Sequence, residues 1–322
     1  MTGGSLRGTV APLQAIPFFL HEKSDMPSTT PDVFHDRNVG ERQPSAFSFG
    51  GSTMTMLVPG AETDGTFSLV HIRKRADSST PRHLHDTETE VSYVLEGRLG
   101  LETSGGVAHL DAHEWHVLPP RQTHRVFNDS PSEVRELLLC VPAIFDQLVA
   151  TAGEPVAAFS DPRAITEDAI RAISTHAPNF GVRLFREAPD EPLNSREPAQ
   201  VERLEAWGGQ FEVLATLGDQ DEAIALLRFT LQPGRTTPPA TVAYRQAVYR
   251  VAGSMELFLD GSDWHAMTSA AAASVAPSAR HALRNASDKE AAVVIVSTLG
   301  MVRLLRSIGD AVPARIPASA LL

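Results

Sequence analysis

The chain has 322 residues, of which 42 % are hydrophobic and 21 % charged, and its formal net charge is −11. This length is enough for two domains of about 150 residues, each with its own apolar core. The composition excludes a chain that is disordered throughout. The acidic balance argues against nucleic acid and anionic membranes as partners, because both are bound by clustered lysine and arginine.

Cys140 is the single cysteine, which excludes a disulfide framework or a cysteine-based metal site within one chain. Its apolar neighbours predict a buried, unreactive thiol. Apolar runs stay below the roughly 18 residues of a membrane-spanning helix. Prolines interrupt the first apolar stretch, at 11–20, where a signal peptide would need a continuous core. We therefore expect a cytoplasmic protein without a membrane partner.

Short strands separated by turn residues are predicted over 45–147, as is typical of an all-β sandwich or barrel. They fall at 47–58, 66–72, 91–102, 114–118 and 134–141. The last run is continuously apolar, which predicts a strand buried on both faces.

Helical spacing replaces the strand pattern after Pro142. It covers 143–152 and 164–173, prolines at 189, 192 and 198 mark a connection, and strand patterning returns at about 211–305. We predict three parts: an N-terminal barrel at 1–155, a helical connection at 156–205, and a C-terminal barrel at 206–322.

The two strand-rich regions resemble copies of each other. The motif Tyr-Val-Leu-Glu-Gly at 93–97 is followed 156 residues later by Tyr-Arg-Val-Ala-Gly at 249–253. His-Arg-Val-Phe-Asn at 124–128 is followed 157 residues later by His-Ala-Leu-Arg-Asn at 281–285. Two matches at nearly one offset indicate an internal duplication.

A candidate metal site lies in the first copy. His83 and His85 are two residues apart, so on a strand both imidazoles project to one side. Glu90 begins the next apolar run, and His124 follows the Pro119-Pro120 turn. Three imidazoles and one carboxylate suit Fe, Mn, Co, Ni, Cu or Zn as divalent cations. The alternative for the His-x-His pair alone is a polar strand face.

These residues resemble the two motifs of the cupin family. The first, HxH(x)3–4E(x)6G, is matched by His83, His85, Glu90 and Gly97. The second, G(x)5PxG(x)2H(x)3N, is matched by Pro119, His124 and Asn128, with His113 and Arg121 in its two glycine positions. The resemblance implies an all-β fold of two cupin (jelly-roll) β-barrels in tandem with a few connecting α-helices. It also implies one metal ion held by His83, His85, Glu90 and His124.

The second copy lacks this ligand set. At the 156-residue offset the equivalents of His83, His85 and Glu90 are Pro239, Thr241 and Gln246, and a one-residue shift gives Ala240 and Val242 instead. Of the ligand positions, only His281 keeps its histidine. We therefore expect no metal in the C-terminal barrel, with His281 a relic or a satisfied core group.

Four segments resemble the two-barrel members of the quercetin 2,3-dioxygenase group: Phe-Ser-Leu-Val at 67–70, Pro-Arg-His-Leu-His at 81–85, Tyr-Val-Leu-Glu-Gly at 93–97, and Phe-Asp-Gln-Leu-Val at 145–149 with Gly-Glu-Pro at 153–155. That resemblance implies a metal-dependent dioxygenase that cleaves a flavonol-like or other enolised aromatic small molecule with O2. Glu90 would be both a ligand and the catalytic base, or, alternatively, only a fixed fourth ligand. For the substrate pocket we consider Met54, Met56, His71 and His116, although barrel core or strand-end positions are simpler explanations for them.

Two other functions stay open. One is a cupin isomerase or cyclase of small-molecule biosynthesis that uses the metal without O2. The other is a non-catalytic binding bicupin, against which the complete ligand set argues. The native metal, the substrate and the oligomeric state are not fixed by the sequence, and a homodimer is one candidate.

Overall fold

The computed structural model describes residues 44–186, 201–220, 222–260, 263–267 and 272–312. The predicted connection at Pro189, Pro192 and Pro198 lies outside the described residues. Within them, strands dominate and helices are few, which confirms the predicted fold class.

Eleven strands build the body of the first barrel. They are β1 Ala46–Phe49, β2 Ser52–Val58, β3 Ser68–Lys74, β4 Ser78–Ser79, β5 Arg82–His85, β6 Thr89–Glu96, β7 Arg98–Thr103, β8 Gly106–Asp111, β9 Trp115–Leu118, β10 His124–Asn128 and β11 Val134–Val141. A 3₁₀ turn at Gly60–Glu62 interrupts them.

The segment that follows the first barrel returns to it. It contains α1 Phe145–Ala152, β12 Glu154–Val156, α2 Glu167–His176, a 3₁₀ turn at Ala177–Phe180 and β13 Val182–Phe185. One sheet then runs β12-β1-β2-β3-β11-β6-β9, and the other runs β13-β5-β10-β7-β8 with β4 on β10. The position of β13 was not predicted: a stretch interpreted as connection adds an edge strand to β5, with Leu184 opposite His83.

The second barrel repeats this plan with fewer strands. They are β14 Glu202–Ala206, β15 Gly209–Leu217, β16 Ile224–Leu231, β17 Gln246–Ala252, β18 Glu256–Leu259, β19 Trp264–Ala266, β20 Ala272–Val275, β21 His281–Arg284, β22 Ala291–Thr298 and, after α3 Leu299–Ile308, β23 Asp310–Val312. The larger sheet runs β20-β17-β22-β16-β15-β14-β23, and the smaller runs β19-β18-β21.

An equivalent asparagine supports the internal duplication at the level of structure. Asn128 Nδ2 donates to the carbonyl of Lys74 at 3.4 Å, and Asn285 Nδ2 donates to the carbonyl of Leu231 at 2.9 Å. Both asparagines also accept the backbone N–H two residues later. Because each amide ties β3 or β16 to the loop before the next long strand, the two barrels can be aligned residue by residue.

Strand β11 explains why the sequence there is continuously apolar. Leu138 and Cys140 pack inside the first barrel, while Leu137 and Leu139 pack against residues of the second barrel. The strand is thus buried on both faces, as its pattern predicts. At the same contact the Trp115 indole donates to the carbonyl of Leu214 at 2.9 Å.

Helices α1 and α2 and strand β13 cover one side of the first barrel. Leu148 of α1, Ile173 of α2 and Val182 of β13 are buried together with Met54 and Val70 of the barrel. Helix α2 begins at a Thr166 cap, whose side chain accepts from the N–H of Ala169 at 3.1 Å. None of the helices in the described part of the chain has the length and apolarity to cross a membrane.

Candidate metal centre

The structure brings the four predicted ligands together. His83, His85, Glu90 and His124 each offer one ligand atom, and these atoms lie within 4.8 Å of one another. All four side chains are buried, at 2–8 % exposure. This group could therefore hold a metal ion inside the first barrel.

Strand pairing places these side chains. His83 and His124 lie opposite each other on β5 and β10, and His85 follows His83 on the same face. Glu90 comes from β6, in the other sheet. The donor atoms consequently converge between the two sheets, although the residues are 41 positions apart at most, from 83 to 124.

The Nδ1 atom of each histidine is occupied by an acceptor. His83 Nδ1 lies 2.9 Å from the carbonyl of Pro81, and His124 Nδ1 lies 2.9 Å from the carbonyl of Gln122. His85 Nδ1 lies 3.1 Å from Glu88 Oε2. Since carbonyls and carboxylates only accept, each Nδ1 carries the proton and each Nε2 presents a lone pair.

The Nε2 atoms of His85 and His124 provide the test of whether a cation fits. They lie 3.4 and 3.2 Å from the Glu90 oxygens, yet neither makes a hydrogen bond with any described group. Buried polar atoms without partners are rare in proteins. A cation among them would satisfy these nitrogens, and the imidazole–carboxylate set suits a divalent transition metal.

The imidazoles and the carboxylate shift each other's pKa values. Burial raises the pKa of Glu90, but its interactions with His85 and His124 outweigh burial and bring that pKa to about 2. Burial and the two neighbouring imidazoles lower the pKa of His83 well below its usual range. Burial also acts to lower the pKa of His85, but Glu90 and Glu88 reverse the effect and raise it.

Glu88 is a part of the site that sequence reasoning missed. Its side chain is 2 % exposed. While Oε2 holds His85, Oε1 accepts from the backbone N–H groups of Ile144 and Phe145 at 3.1 and 3.0 Å. It therefore links a candidate ligand to the start of α1. The available signal was its spacing, because Glu88 and Glu90 are two residues apart and belong to one strand face if β6 is extended backwards.

The turn before His124 keeps the backbone of the motif without its glycines. His113 has φ 73° and Arg121 has φ 65°, both in the left-handed region that favours glycine. The departure noted in the sequence therefore changes the side chains and not the path of the chain. Arg121 N also donates to the carbonyl of His85 at 2.7 Å, which ties this turn to β5.

A cavity of about 700 Å³ adjoins the site, and His83 forms part of its wall. Mostly apolar side chains line it, among them Phe49, Met54, Phe145, Leu148, Ile173 and Leu184. Four of them come from α1, α2 and β13. Helices α1 and α2 and strand β13 thus complete the cavity beside the candidate ligands.

The four residues considered for the pocket occupy different places. Met54 lines the cavity, and Met56 is buried in the same apolar cluster. His116 lies on β9 opposite Ser92, and burial, followed by the effect of His124, lowers its pKa. His71 points to the contact between the barrels, where its ring packs against Phe159 at 5.1 Å and Tyr249 at 6.4 Å.

The second barrel resolves the alignment left open by the sequence. Ala240 lies opposite His281 as His83 lies opposite His124, so Ala240 and Val242 are the equivalents of His83 and His85. Gln246 occupies the position of Glu90 and donates to Ser297 Oγ at 2.6 Å. Of the four positions, only His281 carries an imidazole, and its Nδ1 lies 3.2 Å from the carbonyl of Ala279.

One family model matches part of the first barrel. Residues 69–141 match the family model described as Cupin domain. This region includes all four candidate ligands. No curated protein matches the chain.

Solved structures resemble the chain over most of its length. A putative glyoxylate induced protein from Pseudomonas aeruginosa has a TM-score of 0.53 and 13 % identity, covering 81 % of this chain and 84 % of that one. AerE from Microcystis aeruginosa has a TM-score of 0.50 and 10 % identity, with 79 % and 96 % covered. Oxalate decarboxylase from Bacillus subtilis gives 0.49 and 14 %, with 82 % and 78 % covered.

At these identities the likeness concerns the fold and not the reaction. The first two structures share the fold over about four fifths of this chain. Together with the matched domain and the two sheets of each barrel, they show that the molecule has the fold of tandem cupin barrels, the first of which carries the Cupin domain match.

Proposed function

We propose that the chain is a metal-dependent cupin dioxygenase of the quercetinase type, which cleaves a flavonol-like or other enolised aromatic small molecule with O2. The observation that carries this proposal is the convergence of His83, His85, Glu90 and His124, with unpartnered Nε2 atoms, beside an apolar cavity. When bound, a divalent cation supplies Lewis acidity, which lowers the pKa of an enol or phenol oxygen.

The cavity suits a flat aromatic molecule. Its volume of about 700 Å³ lies within the range of roughly 300–1,000 Å³ that is usual for small-molecule sites. The rings of Phe49 and Phe145 stand edge to face at 5.6 Å in its wall. An apolar wall of this kind orients an aromatic substrate and excludes water from the reacting oxygen.

Glu90 is the proposed proton acceptor. Its pKa of about 2 means that it is ionised at neutral pH, so it can take a proton without first losing one. A carboxylate of that pKa is a weak base, and the substrate proton must therefore be acidified before Glu90 can accept it. The proposed reaction consequently needs the metal and Glu90 together.

Oxygen consumption tests this proposal. Purified protein is analysed for metal content, loaded with single divalent metals, and screened with flavonols and related enols in an oxygen electrode. One O2 consumed per molecule of substrate cleaved is the expected result. Turnover under anaerobic conditions would show that the chain is an isomerase or cyclase and not a dioxygenase. A protein that takes up no metal would instead be a binding bicupin.

The second barrel is proposed to hold no metal. One imidazole among Ala240, Val242 and Gln246 offers too few donors to compete with water for a transition metal. A single metal equivalent per chain is therefore expected from elemental analysis. The proposed partners of the chain are small molecules and not nucleic acid.

A further inference from the structure

A second polar group is buried inside the first barrel. Lys74 and Glu136 are each 2 % exposed, and they interact electrostatically without forming a direct ion pair. Lys74 Nζ lies 3.5 Å from Ser52 Oγ. Glu136 Oε2 has no hydrogen-bond partner among the described residues. A buried charge costs free energy unless it is fully paired, so this group has no evident structural benefit.

The second barrel shows that the fold does not require these residues. Ser52 lies opposite Lys74 on β2 and β3, and the same register places Gly209 opposite Leu231 on β15 and β16. Val293 of β22 takes the place of Glu136. Leu231 and Val293 are fully buried in the apolar core of that barrel. Within one chain, the buried charges therefore occur in the barrel that carries the candidate ligands.

Ser52 connects this group to the cavity. It lies in the cavity wall, as do Met54 on the same strand face and the candidate ligand His83. A lysine ammonium can only donate, so Ser52 Oγ accepts from Lys74 Nζ and its own hydroxyl proton stays available. None of the described groups accepts that proton. A hydroxyl that accepts from an ammonium is itself a stronger donor.

We propose that Ser52, supported by Lys74 and Glu136, is a hydrogen-bond donor subsite that binds an acceptor oxygen of the substrate. This inference rests on the proposed function, because it concerns a substrate that occupies the cavity next to the metal site. Ser52 is the group that contacts the ligand. Lys74 is a positioning residue that directs the Ser52 proton into the cavity, and Glu136 balances the charge of Lys74.

The subsite defines a substrate class. Much of the cavity wall is apolar, so an aromatic skeleton is accommodated without polar contacts over most of its surface. Ser52 adds a polarised hydroxyl donor to this wall, beside polar residues such as Thr80, Arg183 and Arg186. Such a donor favours molecules that place an oxygen opposite it. The substrate is therefore an enolised aromatic compound with a further hydroxyl on a benzene ring, remote from the oxygen that faces the metal site.

Two flavonols under anaerobic conditions test the subsite. The probes are 3-hydroxyflavone, whose only hydroxyl is the enol at position 3, and quercetin, which carries further hydroxyls on both benzene rings. Their dissociation constants are measured by titration of metal-loaded protein. The variants are Ser52→Ala and the double variant Lys74→Leu with Glu136→Val, which copies the second barrel. Thr53→Val, on the opposite face of the same strand, is the matched control.

We expect quercetin to lose about tenfold in affinity in both subsite variants, as for removal of one hydrogen bond. The affinity for 3-hydroxyflavone and the metal content should stay unchanged, and Thr53→Val should bind both probes like the wild type. The double variant should also unfold at no lower a temperature, because buried charges are replaced by the apolar residues of the other copy.

The outcomes separate the subsite from the reaction. Equal quercetin affinity in the wild type and both variants overturns the subsite. If 3-hydroxyflavone still binds in that case, the proposed function is not affected. Selective loss of quercetin binding without any O2 uptake supports the subsite and overturns the dioxygenase. If neither flavonol binds the metal-loaded wild type, the flavonol class and the subsite fall together.

Discussion

Glu90 is the residue whose replacement separates metal binding from proton transfer. In Glu90→Gln the amide oxygen can still coordinate weakly, and His83, His85 and His124 remain. We therefore expect the variant to retain metal but to lose turnover by roughly 10²–10⁴-fold, the usual contribution of a positioned base. Elemental analysis and kcat measured on one preparation check both parts. Glu154→Gln, at an exposed site, is the control, and full activity in Glu90→Gln would exclude the base role.

Glu88 allows a second prediction at the scale of single residues, which concerns affinity and not turnover. Glu88→Gln keeps an acceptor for the N–H groups of Ile144 and Phe145 but removes the charge that holds His85 Nδ1. Loss of such a partner typically weakens metal binding by about 10–100-fold. Competition with a chelator should show this shift. An unchanged metal affinity would mean that Glu88 serves only the start of α1.

Helix α2 forms part of the cavity wall and packs on the first barrel. Ile173 is 8 % exposed and lies on the buried side, whereas Ile170 is 49 % exposed. Ile173→Ala should lower the free energy of unfolding by about 2–5 kcal/mol through lost packing and a new void. Ile170→Ala should change it by less than about 0.5 kcal/mol. Urea unfolding measures both, and equal effects would contradict the packing of α2 on the barrel.

The elements differ in how far the sequence predicts them. Strands of the barrels were predictable because each has a turn at its ends and a repeating apolar pattern, and α1 and α2 because of their helical spacing. Strand β13 was not, since Val182–Phe185 is four residues long and its partner β5 lies about 100 positions earlier. The role of Glu88 was not predicted for a similar reason. Its backbone partners at 144 and 145 are brought to it by the fold, and no sequence motif indicates them.

The convergence of the four candidate ligands was predictable from the sequence. His83, His85, Glu90 and His124 follow a spacing that fixes which side of a strand each occupies. Of the four residues considered for the substrate pocket, Met54 lines the cavity, in whose wall the candidate ligand His83 also lies. The position of His71 was predictable only in part. The strand pattern predicts that His71 and Leu69 share one face of β3, but it does not predict that this face packs against the second barrel.

The two barrels of the whole molecule are expected to respond differently to loss of a histidine. His83→Ala removes one of three imidazoles from the first barrel and should abolish stoichiometric metal binding. In the second barrel, Ala240, Val242 and Gln246 occupy the positions of the other three candidate ligands. His281→Ala should therefore leave the metal content unchanged. Elemental analysis of both variants decides this. A fall in metal content in His281→Ala would show that the second barrel also binds an ion.

The contact between the barrels should depend on pH through His71. Burial, followed by Arg135 and Arg73, lowers the pKa of His71 from 6.5 to about 4. Between these values the unfolded chain binds a proton that the folded chain does not, so the free energy of unfolding falls as the pH drops from 6.5 towards 4. The full effect is about 3 kcal/mol, since each pKa unit corresponds to about 1.4 kcal/mol.

His71→Phe removes this titration while keeping an aromatic ring against Phe159 and Tyr249. The variant should therefore lose less stability than the wild type between pH 6.5 and 4, and the two should respond alike above pH 7. Urea midpoints across this range measure the difference. Parallel curves throughout would mean that His71 stays solvated, and the two barrels could not then be packed together at this face.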